Sequence, residues 1–201
     1  MWVVCGGNGT LALEWSRFFT DNGHTNDAYL LVDFPGYGQC EGRPTPKSIR
    51  ENLKHAISAA CSEAGWEEIQ TDRLRVFGHS LGAAAVLMAA EDFQIRKGVL
   101  LAPFTSSMDM AKVYTGLPLG FLVTERFDNR ARIGAVSKFG PGRLVIVHGT
   151  EDESIPVRMG RELARLYPDN VIFREVAQGK HNNIQQDFPE EIIKAISESA
   201  E

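Results

Sequence analysis

Ser80 stands between two glycines in Val76-Phe77-Gly78-His79-Ser80-Leu81-Gly82, with a branched and aromatic run before it and an alanine-rich run after it. A serine hydroxyl becomes a nucleophile when a base takes its proton and a third group holds that base. A sharp strand-to-helix turn can carry such a serine if the residues packed around it lack a colliding β-carbon. The GxSxG spacing meets this second condition, because Leu74–Phe77 reads as a strand and the residues from Ser80 onward read as a helix. The turn would lift the hydroxyl clear of a sheet and set backbone N–H groups beside it, at a helix terminus where negative charge is favoured.

The base and the acid must lie later in the chain, in the order serine, acid, histidine that this turn architecture uses. His24 and His55 precede Ser80, His79 belongs to the turn itself, and His148 sits at a strand end. That leaves His181, in the polar loop Gln178-Gly179-Lys180-His181-Asn182-Asn183. Three acids, Glu151, Asp152 and Glu153, crowd the loop after the fifth strand. The pattern HGxxDxxxP places Asp152 where the chain turns from strand to helix, with Glu151 and Glu153 solvated; Asp109 and Asp128 are the reserve acids. Acyl chemistry also needs donors for a developing oxyanion. The N–H of Leu81 is one, and the N–H of Asn8, in the loop Cys5-Gly6-Gly7-Asn8-Gly9-Thr10, is the other. That loop carries neither GxGxxG nor GxxxxGK, so a phosphate-binding reading is set aside.

The elements that must position these residues are legible as short apolar runs alternating with helical patterns. Strands are predicted at Trp2–Cys5, Tyr29–Asp33, Leu74–Phe77, Gly98–Ala102, Leu144–His148 and Val171–Glu175. Each is almost wholly apolar, as a strand covered on both faces should be. Helices are predicted from Leu11 to Phe19, from near Pro46 to Gly65, through Ala83–Ala90, after Pro156, and from a cap at Asp187 with Pro189 in the first turn. The expected fold is a three-layer α/β/α sandwich around a mostly parallel sheet of about six strands. A chain of 201 residues suits one domain, residues 1–201, with residues 104–142 as a small flap. Within the flap and beside it, Phe104, Leu117 and Leu119 with Gly7 and His79 are the candidate lining of a substrate pocket.

A net charge of −5 with no Lys/Arg cluster argues against nucleic acid as a partner. No run approaches the roughly 20 apolar residues of a membrane span. Three cysteines without paired spacing read as reduced thiols, hence a cytoplasmic setting. The first strand begins at residue 2 without a signal-peptide pattern, so further residues are expected upstream.

With these stretches in hand, the chain resembles the α/β-hydrolase superfamily, and most of all the small lidless serine hydrolases related to the serine-aminopeptidase, monoacylglycerol-lipase and protein-depalmitoylase group. The resemblance rests on Gly6-Gly7-Asn8-Gly9, Asp33-Phe34-Pro35-Gly36-Tyr37-Gly38-Gln39-Cys40-Glu41-Gly42, Gly78-His79-Ser80-Leu81-Gly82, Ala102-Pro103-Phe104-Thr105-Ser106, His148-Gly149 with Asp152, and His181-Asn182. It implies cleavage of a small-molecule carboxylic ester or thioester through an acyl-enzyme on Ser80, with Asp152 and His181 as partners and no cofactor or metal. Two departures stand out. Gly6-Gly7 replaces the usual His-Gly, and two strands that the family carries ahead of Trp2–Cys5 are not in this sequence. Their loss would leave a sheet edge beside Trp2–Cys5 that a second copy, in a homodimer, could cover. A non-catalytic binding or scaffold protein, a peptidase or amidase of the same fold, and a piece of a longer enzyme are the alternative readings.

Overall fold

The computed structural model describes residues 1–23 and 26–200; His24, set aside above on chain order, lies outside the described residues. Strands β1 (Trp2–Cys5), β2 (Tyr29–Leu31), β3 (Arg75–His79), β4 (Lys97–Leu101), β5 (Arg143–Gly149) and β6 (Val171–Val176) form one parallel sheet in the order β2-β1-β3-β4-β5-β6. Successive side chains of a strand point to opposite faces. Trp2, Val4, Phe77, Val99, Leu101 and Val145 therefore meet one helical layer, built of α1 (Ser16–Asn22) and α8 (Pro189–Ala200). Val3, Cys5, Val76, Leu100, Leu144 and Ile146 meet the other, built of α2 (Pro46–Glu63), α3 (Leu81–Phe93), α5 (Asn129–Val136) and α6 (Arg158–Leu166). Both faces are apolar because both are covered, and the result is the three-layer α/β fold.

Helix α3 is buried continuously from Gly82 to Ala90. Its alanines let it lie between α2 and α5 on the sheet, where larger side chains would hold the layers apart. Helix α2 meets it through Ile49, Leu53, Ile57 and Cys61, spaced one turn apart. Thr45 caps α2 by accepting from the Ser48 N–H at 3.1 Å, and Pro46 occupies the first turn, where its missing N–H costs nothing.

The chain leaves β1 in one direction to reach β2, then crosses back to place β3 on the other side of β1. The carboxyl ends of β1 and β3 thus flank a topological switch point, where the connecting loops diverge and leave a crevice. The glycine loop after β1 and Ser80 after β3 both open into it.

The structure differs from the sequence reading at several element ends. The edge strand is β2, not β1, which lies inside the sheet between β2 and β3. Strand β2 ends at Leu31, though the Val32 N–H still reaches the Val4 carbonyl at 3.0 Å. Strand β3 starts at Arg75, after a 3₁₀ turn at Thr71–Arg73, and runs directly into Ser80. The predicted first helix is a 3₁₀ turn, Ala12–Trp15, followed by α1. Asp187 does not cap the last helix. It ends a short helix, α7 (Ile184–Asp187), and accepts from Asn183 Nδ2 at 2.7 Å. Pro189 cannot continue α7, so it opens α8 instead. Pro156 precedes α6, its carbonyl accepting from the Met159 N–H at 2.9 Å. Residues 104–142 hold α4 (Ser107–Thr115), α5 and two 3₁₀ turns. Among the described residues no helix is long and apolar enough to cross a membrane.

The packing of α2 on α3 yields a direct expectation. Leu53 is 1% exposed whereas Leu13 is 66% exposed. Leu53→Ala should lower unfolding free energy by about 2–5 kcal/mol, and Leu13→Ala by less than about 0.5 kcal/mol, as read by urea denaturation. Equal effects would contradict the described core.

Candidate active site

Ser80 has φ 57° and ψ −117°, a backbone state that residues with a side chain rarely adopt. Its neighbours enforce it. The Ser80 N–H donates to the Leu101 carbonyl at 2.9 Å, and the Ala83 N–H donates back to the Ser80 carbonyl at 3.0 Å. Helix α3 also lies so close to β1 that a β-carbon at Gly82 would stand 2.2 Å from the Cys5 carbonyl oxygen. One at Gly78 would stand 2.5 Å from the Gly82 carbonyl oxygen. The two glycines are thus the contact surface between strand, turn and helix, and Ser80 takes the strained conformation that this contact leaves.

Ser80 Oγ lies 3.0 Å from His181 Nε2, and His181 Nδ1 lies 2.8 Å from Asp152 Oδ2. A carboxylate only accepts, so Nδ1 carries the imidazole hydrogen and Nε2 presents its lone pair to the serine hydroxyl. The Asp152 side chain is fully buried. Its Oδ1 accepts from the N–H groups of Ser154 at 2.9 Å and Ile155 at 2.7 Å. Burial pulls its pKa upward, but the imidazoles of His148 and His181 and the Ile155 N–H outweigh it and hold the carboxyl well below the usual range. The loops bearing Asp152 and His181 are tied together: the Thr150 N–H donates to the Val176 carbonyl and the Glu151 N–H to the Gly179 carbonyl, each at 2.9 Å.

The reserve acids lie elsewhere. Asp109 binds Arg130 at 2.7 Å, and Asp128 caps α5 through the Ala131 N–H at 3.0 Å. Glu151 is exposed, as is Glu153, yet Glu153 Oε2 accepts from the His181 N–H at 3.3 Å. Sequence reasoning missed this contact, because nothing in residue spacing distinguishes a solvated glutamate from one that reaches a neighbouring loop.

Leu81 is the first residue of α3, and neither its N–H nor that of Asn8 donates to another group among the described residues. The Asn8 side chain is held by the Tyr37 hydroxyl, which donates to Asn8 Oδ1 at 2.6 Å and accepts from the Gly9 N–H at 3.2 Å. Gly7 packs against the elbow, where a β-carbon would stand 3.2 Å from His79 Nδ1 and 3.5 Å from Ser80 Cβ.

An apolar cleft of about 370 Å³ opens on Ser80 and His181, walled by Phe104, Met110, Ala111, Tyr114, Val123 and Phe127, with Asn8 and Leu81 at its head. Leu117 and Leu119 do not line it. Gly116 ends α4 in a left-handed conformation, φ 70°, and turns the chain away, so that Leu117 is exposed and the 3₁₀ turn at Leu119–Leu122 packs Gly120 on Met108. Besides Phe104, Val123 and Phe127, the wall comes from one face of α4, Ser107, Met110, Ala111 and Tyr114, whose helical spacing of three and four is the available signal.

His79 does not face the cleft either. It lines a separate polar cavity of about 270 Å³ on the other side of His181, with Thr10, Glu14 and Gln185. Its Nε2 is 3.0 Å from the His181 carbonyl, to which it donates. Burial first, and then the neighbouring His181, push the His79 imidazole down to about 4, so it stays uncharged at neutral pH. Cys5, Cys40 and Cys61 are all free. No group of three or more His, Cys, Asp or Glu among the described residues is arranged to hold a metal ion.

Comparison with known proteins bears on this arrangement. A model of the alpha/beta hydrolase family matches residues 2–137, which include the glycine loop, the elbow and all of α5. Alpha/beta hydrolase domain-containing protein 17B of Homo sapiens is 28% identical over 158 residues, 78% of this chain and 51% of its own. Uncharacterized protein Rv2307c of Mycobacterium tuberculosis is 29% identical over 135 residues, 67% of this chain and 46% of its own. The chain spans about half the length of the curated relatives it matches. Among solved structures, the monoacylglycerol lipase of Paleococcus ferrophilus superposes with a TM-score of 0.65 at 20% identity, covering 98% of this chain and 92% of that one. Arabidopsis thaliana SOBER1 gives 0.64 at 14%, covering 100% of this chain and 98% of that one. These structures share the fold. The family model, covering well over half the sequence and taking in the turn that carries Ser80, establishes that the chain belongs to the alpha/beta hydrolase family.

Proposed function

We propose that the chain is a serine hydrolase that cleaves a carboxylic ester or thioester through an acyl-enzyme on Ser80. The observation that carries this reading is the continuous relay from Ser80 Oγ to His181 Nε2 at 3.0 Å and from His181 Nδ1 to Asp152 at 2.8 Å. His181 takes the hydroxyl proton as Oγ attacks the acyl carbon, and returns it to the leaving oxygen or sulfur. Asp152, held ionised by the donors around it against the opposing effect of burial, keeps the imidazole in the tautomer that can accept and stabilises the imidazolium that forms. The N–H groups of Asn8 and Leu81 receive the oxyanion. Water then repeats the sequence on the acyl-enzyme, with His181 again as base.

The apolar wall of the cleft supports an acyl chain as the group held beside Ser80. It does not separate an oxygen from a sulfur leaving group, and both stay within the proposal. A small-molecule acyl substrate needs nothing beyond these side chains and water, so no cofactor enters the scheme. The lipase named among the solved structures shares the fold at low identity and lends the ester reading its precedent.

Ser80→Ala should lower ester turnover by about 10⁶-fold while circular dichroism and melting temperature stay unchanged. Retained turnover in a pure preparation would remove Ser80 from the proposal.

Asp152 supplies a second test with a definite sign. Its folded pKa is depressed. Its contribution to stability is therefore present in full above the unfolded value of about 3.9 and is lost as the pH falls from there through the lower folded value. Asp152→Asn lacks this contribution. The stability gap between wild type and Asp152→Asn should be widest at neutral pH and narrow on acidification below about pH 5, measured by urea denaturation across pH. A gap that is constant down to pH 3 would contradict the assignment. Turnover by the variant should fall by about 10⁴-fold.

A further inference from the structure

His148 lies at the end of β5 and is fully buried, with no contact to the cleft. Its Nε2 is 2.8 Å from the carbonyl oxygen of Ile155 and 3.3 Å from Asp152 Oδ2. A carbonyl only accepts, so Nε2 carries the ring hydrogen. That hydrogen bonds to Ile155 and presents its positive end to the carboxylate. The other ring nitrogen, Nδ1, is buried without a hydrogen-bond partner among the described residues. Gly160 makes room for it: a β-carbon there would stand 2.6 Å from Nδ1. An unpaired ring nitrogen in the core carries a desolvation cost that a phenyl ring of similar shape would not. Packing alone therefore gives no reason for an imidazole at this position, and the contacts of Nε2 do.

We propose that His148 is a positioning residue for the reaction, acting through Asp152: one N–H holds the Ile155 carbonyl and the Oδ2 edge of the carboxylate in fixed relation, so that Oδ2 faces His181. The inference rests on the Ser80 reading above. Asp152 Oδ1 is already fixed by the N–H groups of Ser154 and Ile155. Apart from His181 itself, His148 is the side chain that constrains Oδ2. Ile155 lines the cleft, so the same clamp ties the acid to the wall beside Ser80.

The charged and titratable groups around the pair come from four elements. Glu153 follows Asp152 in its own loop, His181 approaches from the loop after β6, His79 lies beyond His181 on the elbow, and Glu175 on β6 senses His148 while paired with Arg161 at 2.6 Å. All of them remain when His148 alone is changed.

The test compares wild type, His148→Phe and His148→Gln in kcat, KM and the acid limb of the pH–rate profile, with Ser80→Ala as control. Removing the N–H lets the carboxylate turn and leaves its charge less compensated, which favours the imidazolium of His181. His148→Phe should lose about 10²-fold in kcat with KM changed less than about twofold. Its acid limb should move to higher pH by about 0.5 to 1 unit. His148→Gln, whose amide N–H can reach the place of Nε2–H, should recover most of the rate and return the limb toward wild type. If His148→Phe does not fold, the glutamine variant is compared with His148→Leu by the same three quantities. Wild-type kcat and an unmoved limb in a folded variant lacking the N–H would overturn the proposal, as would loss of stability alone. Turnover retained by Ser80→Ala would instead overturn the reading on which it rests.

Discussion

The structure depends on the contact between the start of α3 and the end of β1. Main chain meets main chain there, with room for no side chain at Gly82, and the turn between β3 and α3 must close within one residue. Ser80 is that residue. Its positive φ is the local cost of the contact, and hydrogen bonds to Leu101 and from Ala83 sustain it. The same approach sets Leu81 N–H and Ser80 Oγ side by side at the switch point, so one packing constraint places both the proposed nucleophile and one proposed oxyanion donor.

The second half of the site is electrostatic. A carboxylate removed from water is unfavourable unless every lone pair is met. Around Asp152 two backbone N–H groups meet Oδ1, and two imidazoles flank Oδ2. The loop hydrogen bonds between Thr150, Glu151, Val176 and Gly179 keep the acid and the histidine in register, although they lie on connections after different strands. Two further histidines, His79 and His148, flank the relay, while His181 within it faces Ser80. His79 fixes the His181 carbonyl from beneath, and His148 stands behind the acid.

Much of this is legible in the sequence because the relevant signals are short and local. An all-apolar strand needs only a few residues to declare itself, and GxSxG with a strand before it and a helix after it states its own geometry. Asp152 stands out among three carboxylates because HGxxD puts it at the bend of the chain, and the structure sets it 2.8 Å from His181 Nδ1. What escaped depends on how distant pieces meet. Which strand forms the sheet edge is a matter of crossover direction, invisible in the residues of β1. Leu117 and Leu119, after Gly116, are expected in the cleft wall, whereas the left-handed turn at that glycine leaves Leu117 exposed, and one face of α4 joins Phe104, Val123 and Phe127 in the wall. Pro189 is expected in the first turn of the last helix and opens α8, but Asp187, expected as its cap, ends the separate helical turn α7. The contact of Glu153 with the His181 N–H and the orientation of His79 away from the cleft likewise follow from loop placement, not from residue type.

The central claim is that base, oxyanion donors and strained serine act together as one assembled nucleophile. Covalent labelling by a fluorophosphonate probe reads this directly, since the probe reacts with a serine activated in this way and mimics the tetrahedral oxyanion. Intact mass should show a single adduct, and peptide mapping should place it on Ser80. A folded protein that takes no label, or takes it at another serine, would contradict the account.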